Sequence, residues 1–210
     1  YMTWRNNFAG ITTDDICGAS GMSYLEGTWS QDGCTDTIIV TFTATDECGL
    51  MSSQNQTFII SDTTPPALYN GADGDAECTG SDPSLNAAYM TWRNNFAGIT
   101  TDDICGDSGM SYDEGQWVQD GCTDTIIVTF IATDECGLMS SQNQTFVISD
   151  TTPPALYDGA DGDAECTGSD PQQNATYLAW RESFAGITTD DICGDSGMSY
   201  DEGQWVQDGC

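Results

Sequence analysis

The sequence predicts an all-β chain built from tandem copies of one small domain. Three observations predict it: an internal period of 88 residues, β-branched runs that alternate in polarity, and ten cysteines recurring at the repeat spacing. Tyr1-Met-Thr-Trp-Arg-Asn-Asn-Phe-Ala-Gly returns unchanged at Tyr89, and as Tyr177-Leu-Ala-Trp-Arg-Glu-Ser-Phe-Ala-Gly in a third copy. Residues 1–88 and 89–176 differ at only ten positions. A period this long exceeds a helical solenoid unit and suits one small domain per repeat, strung like beads. The chain opens mid-repeat and stops on Cys210, so it reads as a window on a longer array.

Asp-Thr-Thr-Pro-Pro at 62–66 and 150–154 marks the boundaries. Two consecutive prolines donate nothing to a sheet ladder and hold an extended backbone, which makes a short, stiff connector. Residues 1–62 are then the C-terminal part of one repeat, 63–150 a complete repeat, and 151–210 the N-terminal part of the next. Within the complete repeat, Cys122 to Cys136 brackets a long strand in which Val128, Phe130 and Ala132 alternate with threonines and Ile131. Gln142–Ser149 reads as a second strand. Met110-Ser-Tyr and Gln116-Trp-Val read as two shorter ones, and Ala155-Leu-Tyr opens the next repeat. One short helix interrupts the pattern. Ser81-Asp82-Pro83 is a capping start and Gly98 a stop, and between them Tyr89, Trp92 and Phe96 form one apolar stripe. That stripe is expected in the core, with sugar stacking as the alternative.

Composition excludes several functions. The chain holds 34 acidic residues against three basic ones and no histidine, a formal charge of −31. The positives are Arg5, Arg93 and Arg181, and lysine is absent. Such a chain repels phosphate backbones, so nucleic-acid binding is not expected. Schiff-base, histidine-activated and histidine-ligated chemistry is closed to it. No apolar run approaches the roughly 18 residues of a membrane span. Paired carboxylates are a glycosidase device, but an array of one active site per 88 residues is an unusual enzyme, so catalysis is not expected.

Ala132-Thr-Asp-Glu-Cys-Gly, followed 13 residues later by Asp150-Thr-Thr-Pro-Pro, resembles the end of a hyalin (HYR) repeat. Thr101-Asp-Asp-Ile-Cys-Gly resembles the Asp-Asn-Cys segment of that family. The likeness is to cysteine-bearing versions arrayed in giant secreted surface proteins of Bacteroidota, which share the Glu-Cys opening at 77–78 and a Trp-containing helical insert. One departure is Leu50 and Leu138, where the family often has Asn after Cys-Gly. The resemblance implies an immunoglobulin-like β-sandwich for each repeat, and a stalk or adhesion role.

Four cysteines per repeat in an acidic, repetitive chain suggest disulfides and an oxidising, extracellular compartment. Zinc competes, but no Cys-x₂-Cys pair and no histidine is present. Four cysteines allow three pairings, and Cys122 and Cys136 bracket one strand and stand too far apart to bond. In the implied sandwich, Cys105 and Cys136 share one end, and Cys78 and Cys122 the other. The expected bridges are therefore Cys78–Cys122 and Cys105–Cys136, with Cys17–Cys48 and Cys166–Cys210 in the flanking copies. A rival has consecutive pairing, 105–122 and 136–166, which joins neighbouring repeats.

The acids cluster at Asp102/Asp103, Asp134/Glu135, Asp150 and Asp158–Glu165. In the implied sandwich the first two clusters share one pole, with Asp62 arriving from the preceding repeat. Hard oxygen ligands on turn-rich loops suit Ca²⁺. The expected ligands are Asp62, Asp102, Asp103, Asp134, Glu135 and Asp150, with Asp190 and Asp191 as third-copy counterparts. The plain alternative is a solvated acidic surface. Asn55, Asn143 and Asn174 open N-glycosylation sequons. Thr37, Thr125, Thr63 and Thr151 stand in Asp-Thr tripeptides resembling bacterial O-glycosylation sites, and a glycan coat would shield strand edges. Together these readings predict a secreted structural rod or filament, a surface fibre or adhesin stalk, whose partners are neighbouring repeats and other copies. The alternative is a glycan- or surface-binding adhesion module acting by avidity.

Overall fold

The computed structural model describes residues 1–16 and 18–206. Among them, three α-helices and thirteen strands in four sheets form a mixed α/β architecture. The all-β immunoglobulin-like sandwich is therefore not what the chain builds. Helical segments recur in every copy, and one strand pairing is parallel. Contacts divide the chain into two compact units. One holds Tyr1–Asn70, Ile99–Tyr112 and Phe130–Gln142; the other holds Gly71–Gly98, Asp113–Thr129 and Asn143 onward. Each unit thus draws residues from two copies of the repeat.

The first copy contributes α1 (Met2–Asn6), β1 (Ser20–Glu26), β2 (Ser30–Asp32), β3 (Thr35–Asp46) and β4 (Met51–Ser61). The long strand β3 pairs antiparallel with β1, β2 and β4. Its period-two alternation buries Ile38, Val40 and Phe42 on one face. Tyr1, Trp4, Phe8, Ala9, Ile11 and Phe58 cover that face.

The middle copy comprises β5 (Ala67–Asn70), β6 (Gly74–Glu77), α2 (Ala87–Asn94), β7 (Ile99–Asp102), β8 (Ser108–Glu114), β9 (Val118–Asp120), β10 (Thr123–Asp134) and β11 (Met139–Ser149). Its main sheet runs β6-β11-β10-β8, with β9 also on β10, while β5 pairs with β7 alone. Ile126, Val128, Phe130 and Ala132 are buried along β10. Strand β6 joins β11 in parallel, Phe146 opposite Gly74. A Cβ at Gly74 would stand 2.4 Å from the Phe146 ring and 3.0 Å from Trp92, so only glycine lets this strand close.

The segment expected as one helix is divided in two. Asp82 caps a 3₁₀ turn, Pro83–Leu85, by accepting the Ser84 N–H. Asn86 then breaks the path and caps α2, accepting from the amides of Ala88 and Tyr89. Phe96, Ala97 and Gly98 all take positive φ, 51°, 54° and 76°, which ends the helical path. Tyr89 packs edge-on against Trp117 (4.9 Å) and Phe146 (5.4 Å), and Trp92 lies on Phe146 with its Nε1–H donated to the Ala72 carbonyl. The aromatic stripe is therefore core. The third copy shows β12 (Ala155–Asp158) paired with β13 (Ile187–Asp190), and α3 (Ala175–Glu182) capped by Asn174.

Burial, reinforced by the Glu114 carboxylate, pushes the Tyr89 phenol up from 10.0 to about 12. A folded-state value above the unfolded one contributes stability that is full below pH 10 and fades as pH rises towards 12. The urea midpoint is expected to fall across that alkaline window, and Tyr89→Phe is expected to flatten this part of the curve.

Candidate functional site at the repeat junctions

Titratable and sulfur-bearing groups concentrate where one copy hands over to the next. In the first junction, the Asp62 N–H donates to the Cys34 carbonyl at 3.0 Å, and Asp62 Oδ1 accepts from Thr64 N–H in a tight turn. The extended connector then runs to Pro66, whose carbonyl accepts from the Ser140 hydroxyl. Cys34 is bonded to Cys136, with Cα atoms 5.1 Å apart. Asp134 shapes the turn carrying Cys136, because its Oδ1 accepts from the amides of Cys136 and Leu138, both at 2.8 Å.

The second junction has the same backbone pattern. Asp150 N–H donates to the Cys122 carbonyl at 2.9 Å, and Cys78 N–H donates to the Ser149 carbonyl at 2.9 Å. Glu77 holds the connector by accepting from the Thr151 amide and from the hydroxyls of Thr151 and Thr152. Those hydrogen bonds, the Thr151 side chain first, hold its carboxyl below the ordinary value. Cys78 is bonded to Cys193, with Cα atoms 6.0 Å apart.

These bridges replace the expected Cys78–Cys122 and Cys105–Cys136. Cys78 directly follows β6 and Cys122 directly precedes β10, and those strands flank β11 on opposite sides. Two strand spacings separate them by roughly 10 Å, beyond the ~7 Å a disulfide spans. Cys136 bonds elsewhere because the connector brings Cys34 to the same turn. The consecutive 105–122 and 136–166 pairing is absent too, although both observed bridges join successive copies. Cys48, Cys105, Cys122 and Cys166 are free and exposed. The expected Cys17–Cys48 and Cys166–Cys210 each include a residue, Cys17 or Cys210, outside the described ones.

Of the expected calcium ligands, the structure groups Asp62 and Asp103 with the Cys105 thiol, their ligand atoms lying within 4.8 Å of one another. Asp134 acts on the same thiol through its charge and is 8 % exposed, and its Oδ2 is buried with no hydrogen-bond partner. Desolvation, then Asp62 and Asp103, hold the Cys105 thiol above its ordinary value. A thiol kept protonated beside carboxylates is a poor nucleophile and a poor soft-metal ligand. Asp102 and Glu135 are exposed and stand outside this group. Adjacent residues on an extended backbone point to opposite sides, so Asp102 and Asp103 do not both turn inward. At the second junction, Asp150 Oδ1 accepts from Thr152 and Asp191 Oδ1 from Cys193. Among the described residues neither they nor Asp190 form such a group.

The sugar positions separate by geometry. Asn174 is 9 % exposed, its amide nitrogen donates to Glu165 and Thr167, and its oxygen caps α3. A glycan there would require the cap to open. Asn55 and Asn143 are exposed on β4 and β11, each accepting from a cross-strand threonine. Thr37 and Thr125 are half-buried within β3 and β10. Thr63 and Thr151 are exposed on the connectors, but the Thr151 hydroxyl is given to Glu77.

Each arginine forms an ion pair within its own copy: Arg5 with Glu26, Arg93 with Glu114, Arg181 with Glu202. No described helix is long and apolar enough to cross a membrane. No family model and no curated protein matches the chain.

Proposed function

We propose that the chain is a length of extracellular structural fibre, in which successive repeats are joined through sulfur as well as through the backbone. The observation that carries this reading is that both bridges link one copy to the next, Cys34 to Cys136 and Cys78 to Cys193. Covalent joints between copies add nothing to a catalyst and much to a load-bearing thread. Disulfides persist in oxidising surroundings, which supports an extracellular setting for the fibre. Electron microscopy of the native material under non-reducing conditions tests it. Continuous threads that fall apart or lengthen irregularly in reductant are expected; dispersed globular particles unaffected by reductant would end the proposal.

Calcium stiffening of the junction belongs to the same reading. Asp62 and Asp103 supply hard oxygen donors of the kind Ca²⁺ prefers, and the buried Asp134 Oδ2 is left without a partner. A bound cation would satisfy the orphaned buried oxygen. Calcium is expected to raise the melting temperature and chelator to lower it, by calorimetry. Asp134→Asn is expected to remove most of that calcium response; an identical melt with and without chelator would exclude the ion.

A further inference from the structure

Among the described residues, the four free thiols are not scattered. Moving one 88-residue period along the chain carries Cys34 onto Cys122 and Cys78 onto Cys166. Moving one period back carries Cys136 onto Cys48 and Cys193 onto Cys105. Each of these four cysteines therefore occupies the position of one that is bonded in a neighbouring copy. The two junctions are complementary as well. The first shows the Cys34–Cys136 bridge and leaves Cys105 free; the second shows the Cys78–Cys193 bridge and leaves Cys122 free. By the same period, the partner of Cys105 would correspond to Cys78 and the partner of Cys122 to Cys136.

We propose that every full junction carries both bridges, and that Cys48, Cys105, Cys122 and Cys166 are half-bridges that bond a further copy of the same repeat. The partner is identified by fit. The first copy has a cavity of about 540 Å³ lined by Ile11, Asp14, Phe42, Asp46, Ser52 and Gln54 among others. The middle-copy counterparts of that lining are engaged by the connector and β5. Ile99–Asp102 pairs with β5, the Ser140 hydroxyl donates to the Pro66 carbonyl, and the Gln142 amide donates to the Asn70 carbonyl. An Asp-Thr-Thr-Pro-Pro-Ala-Leu-Tyr segment of another copy is thus the occupant this cavity matches. Each added bridge removes two thiol protons and two electrons. A donor disulfide accepts them and leaves as two thiols. This deepens the fibre reading and rests on it for the oxidising compartment.

Non-reducing peptide mapping of the native protein, alkylated in acid before digestion, tests the proposal. Two linked classes are expected in equal yield: Asp-Gly-Cys-Thr joined to Asp-Glu-Cys-Gly, and Glu-Cys-Thr-Gly joined to Ile-Cys-Gly. Alkylatable thiol is expected to be nearly absent. The first class cannot arise within one copy, since Cys122 and Cys136 stand at opposite ends of the 12-residue β10, roughly 40 Å apart. Gel mobility before and after reduction separates the two sources of the partner. An unchanged chain mass means a repeat of the same polypeptide, and a drop to shorter chains means a second one; either agrees with the proposal. One linked class alone, or Asp-Gly-Cys-Thr joined to Glu-Cys-Thr-Gly, overturns the double bridge and leaves the fibre reading standing. Full alkylation of every cysteine overturns both.

Discussion

Replacing Cys136 with serine is expected to cost about 4.7 kcal/mol of stability, the chain-entropy value for a loop of roughly 100 residues. The Cys34–Cys136 bridge closes 102 residues. Cys34→Ser is expected to cost the same, and the double replacement no more than either, because all three variants lose one shared constraint. Urea titrations of the oxidised proteins, followed by tryptophan fluorescence, check this. Were Cys136 instead bridged to Cys105, Cys34→Ser would be nearly silent. The design therefore separates a between-copy bridge from a within-copy one.

Phe146→Ala is expected to cost about 3–5 kcal/mol, the range for emptying a buried aromatic site. Phe146 is 2 % exposed and meets the Tyr89 ring at 5.4 Å and the Trp92 ring at 5.0 Å. Its removal strips both helical aromatics of their platform and takes away the ring over Gly74. Collapse of the site is hindered because β6 is held to β11 by its backbone ladder. The loss is expected as a lower urea midpoint with an altered tryptophan spectrum. The matched change in the first copy, Phe58→Ala, is expected to cost less, since Phe58 is only partly buried.

The long strands were legible because period-two alternation over twelve residues admits one reading, and β10 buries every second residue from Ile126 to Ala132. Strand β6 was not. Gly-Asp-Ala-Glu has almost no intrinsic β preference, and it becomes a strand only because β11 offers a free edge and Gly74 lets Phe146 come close. The helix was legible at its ends, but Asn86 read as an interior residue when it is the cap. The 3₁₀ turns that flank each helix carry no periodic signal, so the helical share of each copy, and with it the mixed architecture, is not legible in the sequence.

The bridges failed for a different reason. In near-identical copies each cysteine has a twin one period away, so spacing alone does not distinguish a bond within a copy from one between copies. Only the path of the connector resolves it, by carrying Cys34 to the Cys136 turn. The acidic clusters were legible as clusters. That Asp134 is buried and leaves an oxygen unmatched depends on the turn it caps through Cys136 and Leu138.

The span enclosed by the Cys34–Cys136 bond also sets how the molecule answers a pull. Tension applied at the two termini passes through the sulfur pair, so the direct path skips 102 residues. Fully drawn out, they would release roughly 350 Å of slack, at about 3.5 Å per residue. A reductant would turn a nearly inextensible tether into a yielding one without cutting a single peptide bond.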